Sequence, residues 1–221
     1  MTTRTVLRRD LADLKQKVYL LGEKCIEISE LYNLLLENYS ENIQNRLIDI
    51  SKEIKTESKL LNDQCFLVLT LQQPLIKDLR FVIGSLQIVI NLEKISEQFH
   101  STLSLISEVN SLENNIKNKL GEMSQKVQDF LKSSLTLYLS SNISSLKELT
   151  NIFSEINLLH NLLYKETLKN VANESGQKAQ IEAQTLATIR SLEKIADITY
   201  SILEQINYII IGTSNSNTTE A

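Results

Sequence analysis

The sequence predicts an all-α protein built from six long helices. Two observations carry this prediction. The 221 residues include one proline and five glycines, too few for the many turns of a β-sandwich or β-barrel. Apolar residues also recur at alternating steps of three and four, as in Leu11, Leu14, Val18 and Leu21, which is the spacing of one helix face. The chain should therefore fold as a few long elements.

Composition and charge exclude several classes of protein. The net charge is −4 and no block of lysine and arginine occurs, which argues against a general nucleic-acid binder. No run of about 20 apolar residues could span a membrane, and the first residues lack the apolar core of a signal peptide. Cys25 and Cys65 lie in helical stripes and not in a Cys-x-x-Cys motif. We therefore expect a cytoplasmic protein with reduced, buried cysteines.

Short polar segments rich in Ser and Asn separate the predicted helices, and their side chains suit helix caps. Pro74 suits the first turn of a helix, where no amide donor is needed. The polar stretch 212–221 has no apolar period and is predicted to be disordered. The predicted helices are 6–38, 42–71, 75–107, 112–140, 143–171 and 177–211.

The two halves of the chain repeat each other. The tetrapeptide Leu92–Ile95, Leu-Glu-Lys-Ile, recurs as Leu192–Ile195, 100 residues later. Two shorter matches occur in the same order: Gln16-Lys17-Val18 with Gln125-Lys126-Val127, and Glu53-Ile54 with Glu155-Ile156. Repeats of this kind indicate tandem structural units. We predict two three-helix units, at residues 1–109 and 110–211, followed by the tail.

Each repeated tetrapeptide begins an acidic pair spaced by four residues, which places both carboxylates on one helix face. The pairs are Glu93 with Glu97, and Glu193 with Asp197. One interpretation is a metal site made of hard oxygen ligands, suited to Mg, Ca, Mn or iron. The alternative is a solvated acidic edge beside a lysine such as Lys94.

Enzyme motifs are missing. Glu97 and His100 form one Glu-x-x-His pair, but a ferritin-like centre needs a second, and Asn157 stands three residues before His160. The sequence has no Gly-x-Ser-x-Gly, no glycine-rich phosphate loop and no His-Glu-x-x-His. We therefore expect a protein without catalytic residues.

The segment Leu71–Arg80, Leu-Gln-Gln-Pro-Leu-Ile-Lys-Asp-Leu-Arg, resembles the signature of the PhoU family of phosphate-uptake regulators. The copies Leu92–Glu97 and Leu192–Asp197 resemble the Leu-Glu-Arg-Ile-Gly-Asp motif of that family. The resemblance covers residues 8–211. It departs from the family pattern at Lys52 and Lys55, which flank Glu53 where relatives commonly carry acidic or amide residues.

The resemblance implies two side-by-side three-helix bundles in a cytoplasmic protein that often dimerises. Some members of the family bind iron or zinc clusters through paired acidic motifs, so the resemblance implies iron or zinc here, or otherwise a divalent cation. Carried over residue by residue, the metal ligands are Glu93, Glu97, Glu193 and Asp197.

The resemblance also implies a function without catalysis. Such proteins repress a phosphate ABC transporter, through its ATPase, when phosphate is plentiful. They also repress a sensor histidine kinase under the same condition. The alternatives are a generic helical scaffold or adaptor protein and a ferritin-like metal-binding bundle. Asp78 and Arg80 of the signature are interpreted either as a packed helix start or as a partner contact.

Overall fold

The computed structural model describes residues 3–109 and 114–212, and all regular structure in these residues is helical. A short 3₁₀ turn, Ile143–Ser145, precedes α6. The predicted all-α class is confirmed. The predicted disordered tail lies outside the described residues, except for Gly212. The helices are α1 Thr3–Glu37, α2 Glu41–Gln72, α3 Lys77–Ser101, α4 Leu103–Val109, α5 Asn114–Ser140, α6 Leu146–Asn173 and α7 Gln177–Ile211.

The predicted continuous helix 75–107 is wrong, because the chain breaks at Thr102. The Thr102 hydroxyl lies 3.0 Å from the hydroxyl of Tyr32 on α1 and donates to the carbonyl of Phe99 at 3.1 Å. A threonine that bonds to its own backbone competes with the helical ladder. The buried contact with Tyr32 thus fixes the end of α3 and the start of α4.

The observed helix α3 also begins at Lys77, two residues later than the predicted start at residue 75. Gln73 ends α2 in the left-handed region with φ of 46°, and Ile76 has φ of 42°. Pro74 cannot continue α2, because it lacks an amide hydrogen. Leu75 and Ile76 therefore belong to the corner between α2 and α3, and the helix resumes at Lys77.

Two three-helix bundles stand side by side, the first made of α1, α2 and α3 and the second of α5, α6 and α7. The bundles meet where α1 packs on α5 and α3 packs on α7. Contacts along these pairs run in opposite directions: Lys15 bonds Ser141 near the start of α1, and Asn33 bonds Gln125 near its end. In the other pair, Gly84 of α3 faces Ile209 of α7, and Gln98 bonds Ser191. Both central helix pairs are therefore antiparallel.

Glycine permits close approach at both central pairs. A Cβ on Gly22 of α1 would lie 2.7 Å from the side chain of Leu135 on α5. A Cβ on Gly84 of α3 would lie 2.5 Å from Ile209 on α7. Because such distances are shorter than van der Waals contact, an alanine at either place would require the facing leucine or isoleucine side chain to shift.

Ion pairs give the register of the repeat. Lys24 of α1 lies 2.7 Å from Glu53 of α2, and Lys126 of α5 lies 2.9 Å from Glu155 of α6. Both residues of the second pair stand 102 positions after those of the first. Lys17 with Gln64, and Lys119 with Glu166, repeat at the same offset. The match of Gln16-Lys17-Val18 with Gln125-Lys126-Val127 is thus displaced by seven residues, two helical turns, from the structural equivalence.

The core is continuous through both bundles and holds the two cysteines. Cys25 and Cys65 are fully buried and free, and the Cys25 thiol donates to the carbonyl of Leu92 at 3.4 Å. Burial raises the pKa of both thiols, that of Cys65 to about 11. No helix among the described residues is long and apolar enough to cross a membrane.

We expect neither thiol to react with Ellman's reagent at pH 8 while the protein is folded. The reason is that both are buried and protonated, and thiolate is the reactive form. Both should react after unfolding in guanidinium chloride. A Ser101→Cys variant at an exposed position serves as the reactive control. Rapid labelling of the native wild type would contradict the burial.

Gly212 ends α7 with φ of 88°, where a Cβ would lie 1.5 Å from a guanidinium nitrogen of Arg80. Arg80 can move aside, but the backbone strain stays. We therefore expect Gly212→Ala to lower the free energy of unfolding by about 1 kcal/mol. Gly121→Ala is the control, since that helical site has open space around it and should gain about 0.5–1 kcal/mol. Urea unfolding of both variants measures the difference, and equal effects would contradict it.

Candidate functional site

The four predicted acidic residues lie at one level of the molecule. Glu93 and Glu97 are on α3, and Glu193 and Asp197 are on α7. The Ser191 hydroxyl donates to the carbonyl of Gln98 at 3.3 Å. Because α3 and α7 are antiparallel, this bond brings the last turns of α3 alongside the middle of α7. The sequence prediction of two equivalent acidic motifs thus corresponds to two equivalent places in the fold.

The first acidic pair lines a groove of about 290 Å³ between α2 and α3. Glu93 is half-buried and Glu97 exposed, and His100 lies one turn further along. Lys52 and Lys55 of α2 line the same groove. With Glu93 and Glu97 on one wall and these lysines on the other, the groove carries both signs of charge.

The second acidic pair has a different surrounding. The Nε2 atom of His160 on α6 lies 3.2 Å from a carboxylate oxygen of Glu193. His160 is 9% exposed and its ring packs at 5.7 Å from that of Tyr164. Asp197 is exposed to solvent. Sequence analysis considered His160 only as a histidine that lacks a glutamate three residues before it. The repeat offset of 102 was the signal for its burial, because it aligns His160 with Ser58, a core position of the first half.

The acidic residues of the partner helices are engaged elsewhere. Lys24 donates to both Glu53 and Glu57 at 2.7 Å, and Lys126 donates to Glu155 at 2.9 Å. The hydrogen bond from Lys24 lowers the pKa of Glu53, and that from Lys126 to Glu155 raises the pKa of Lys126. These carboxylates face α1 and α5, so they do not join the acidic pairs of α3 and α7.

The donor set does not fit an iron or zinc cluster. In the part of the chain that the structure describes, no three His, Cys, Asp or Glu side chains converge on one point. Such clusters need several protein ligands for each ion. Two carboxylates suffice only for a hydrated cation such as Mg²⁺, which keeps most of its waters. Metal binding at Glu93, Glu97, Glu193 and Asp197 stays a prediction in this weaker form.

A second, larger groove of about 610 Å³ lies where the end of α3 meets α6 and α7. Arg190 lines it and donates to the Tyr164 hydroxyl at 2.6 Å, while its guanidinium lies 5.1 Å from the centre of that ring. The bond and the cation–π contact hold the arginine in place.

Arg80 and Asp78, the remaining residues of the signature, both pack within the fold. Arg80 packs against Gly212 at the carboxyl end of α7, where a positive charge is favourable. It forms no ion pair with any residue that the structure describes. Asp78 lies in the first turn of α3 and is half-buried. The arrangement supports the packed helix start and leaves a partner contact untested.

Elemental analysis tests the metal prediction. We expect protein purified without chelator to hold less than one iron or zinc ion per chain, because no group of three metal-binding side chains forms at either acidic pair among the described residues. Glu193→Ala combined with Asp197→Ala should then change neither iron and zinc content nor helicity. Glu30→Ala with Glu122→Ala, two exposed acids on α1 and α5, is the control. Stoichiometric iron or zinc that only the first variant loses would contradict this expectation.

The chain resembles known proteins over nearly its whole length. The sequence model of the PhoU domain matches it twice, at residues 18–106 and 120–206. A phosphate-specific transport system accessory protein PhoU homolog of Clostridium acetobutylicum is 25% identical over 95% of this chain and 96% of its own. PhoU homolog 2 of Methanothermobacter thermautotrophicus is 24% identical over 84% of this chain and 82% of its own.

Two crystal structures share the fold. That of the phosphate transport system regulatory protein PhoU from Streptococcus pneumoniae superposes with a TM-score of 0.83, at 21% identity, over 94% of this chain and 98% of its own. That of PhoU from Pseudomonas aeruginosa gives 0.87 at 16% identity, over 93% and 99%. The two domain matches cover most of the sequence and coincide with the two bundles. The chain belongs to the PhoU family.

Proposed function

We propose that the protein is a negative regulator of phosphate uptake and of phosphate-responsive signalling. The observation that carries the proposal is the double match to the PhoU domain, one match for each bundle. The curated relatives are named accessory proteins of a phosphate-specific transport system, which supports a role beside a transporter. The proposal assigns no catalytic step. It places a homodimer in the cytoplasm, in contact with the ATPase of a phosphate ABC transporter and with a sensor histidine kinase.

The acidic motifs are the proposed contact surface. Glu97 and Asp197 are exposed, and Glu93 and Glu193 are half-exposed beside them. Because α3 and α7 lie side by side, a partner could meet both motifs at once. Exposed charges steer association and are screened by salt. The proposed contact should therefore weaken as ionic strength rises.

Gene deletion tests the proposal. We expect loss of the gene to raise phosphate uptake and the expression of phosphate-starvation genes in phosphate-rich medium, because the repressing contact is lost. The wild-type gene should restore repression. Glu97→Lys with Asp197→Lys should fail to restore it, because the partner then meets the opposite charge. Glu30→Lys with Glu122→Lys, which makes the same charge change on α1 and α5, should restore it.

Unchanged phosphate uptake after deletion would overturn the regulator proposal. Binding of the purified protein to a purified transporter ATPase, lost in the first charge-reversal variant and kept in the second, separates a regulator from a generic adaptor. A partner bound without any effect on phosphate uptake would favour the adaptor.

A further inference from the structure

The corner between α2 and α3 exposes large apolar side chains to solvent. We call Leu71, Leu75 and Ile76 the apolar tip; their exposed fractions are 72%, 79% and 76%. Further apolar side chains lie around it. They are Leu67 at 56%, Leu79 at 37%, Ile83 at 38% and Ile211 at 48% exposure. So many large exposed apolar side chains around one corner are unusual on a protein surface and mark an interaction site.

The fold itself does not require an apolar corner. In the second bundle the equivalent corner between α6 and α7 is Asn173-Glu174-Ser175-Gly176, which is polar and acidic. The two repeats share their core positions but not this turn. The apolar tip is therefore a property of the first bundle alone.

The backbone holds the tip in an uncommon conformation. Gln73 and Ile76 have positive φ values of 46° and 42°. A positive φ is costly for a β-branched residue such as isoleucine, and strain of this kind concentrates at functional sites. A glycine at position 76 would relieve the strain but would remove the apolar side chain.

Basic side chains surround the tip, although the whole chain carries a net charge of −4. Lys77 follows the tip directly and is exposed. Arg8 and Arg9, also exposed, precede the point where Gln64 of α2 donates to Asp13 of α1 at 2.8 Å. Since α1 and α2 are antiparallel, these arginines lie alongside the last turns of α2.

Acidic groups near the tip are fewer and partly buried. Asp10 lies 3.5 Å from Arg9, and Asp78 lies half-buried in the first turn of α3. The charge exposed around the tip is therefore positive. At the equivalent corner of the second bundle, Glu174 is exposed beside Lys178, so the two corners differ chiefly in their apolar character.

We propose that the apolar tip inserts into the headgroup region of an anionic lipid bilayer. The charge around the tip is complementary to anionic lipid, and the apolar side chains stand at the point of a corner. Neither of the grooves described above includes a residue of the tip, so neither would receive a protruding side chain of a protein bound there. A deformable lipid layer therefore suits the tip better than a rigid protein surface. The inference does not depend on the identity of the proposed protein partners.

Binding of this kind combines two contributions. Apolar side chains gain from leaving water, and basic side chains near the surface gain from the negative lipid potential. Three side chains and three basic residues give reversible association, weaker at high salt. The chain would thus reach the membrane at one end without crossing it.

Vesicle co-sedimentation with the full-length protein tests the proposal. We expect binding to vesicles of phosphatidylglycerol and phosphatidylcholine, and little binding to phosphatidylcholine alone. Leu71→Ser, Leu75→Ser and Ile76→Ser combined should weaken binding about tenfold or more, because the inserted apolar area is lost. The control combines Leu60→Ser, Leu158→Ser and Leu162→Ser, which are 64%, 65% and 67% exposed elsewhere, and should bind like the wild type. Circular dichroism verifies that both variants are folded.

Absence of binding to anionic vesicles would overturn the proposal, and so would equal binding by wild type and tip variant. If the tip variant instead loses a purified transporter ATPase while the wild type ignores vesicles, a protein occupies the tip. Lys77→Glu should weaken vesicle binding at low salt and matter little at high salt. A failure of these tests leaves the phosphate-uptake phenotype of the gene deletion unaffected, so the two proposals can fail separately.

Discussion

Close antiparallel packing between the two bundles is the constraint on which the rest of the structure depends. Gly22 lets α1 approach Leu135 of α5, and Gly84 lets α3 approach Ile209 of α7. A side chain at either glycine would displace the leucine or isoleucine that packs against it and disturb the contact between the bundles. Because the central pairs are antiparallel and in close contact, the two acidic motifs lie at the same level although they are 100 residues apart in sequence.

The acidic residues of α2 and α6 have different partners from those of the acidic motifs on α3 and α7. Lysines of α1 and α5 neutralise the acids of α2 and α6, in the same register in both bundles. In the described part of the chain, neither acidic motif forms an ion pair with a lysine of α1 or α5. Glu93 and Glu97 share a groove with Lys52 and Lys55, and Glu193 meets His160. The carboxylates of both acidic motifs therefore stay available to a partner, as do other exposed acids such as Glu30 and Glu122.

Much of the fold could be predicted because apolar periodicity and the scarcity of proline are local properties of the sequence. The repeat predicted two bundles for the same reason. The break at Thr102 could not be predicted, since it depends on a bond to Tyr32, 70 residues away. The surroundings of Glu193 were missed likewise, because His160 becomes its neighbour only when α6 packs on α7.

The sequence by itself determined the helical class, the two repeats and the positions of both acidic motifs, because each follows from residue spacing along a single helix. The tertiary structure decided what surrounds those motifs and what remains exposed. It turned Glu53 and Glu155 toward lysines on other helices, and it left Leu71, Leu75 and Ile76 in solvent at one corner. Spacing fixes which face of a helix a residue occupies, but only packing fixes what that face meets.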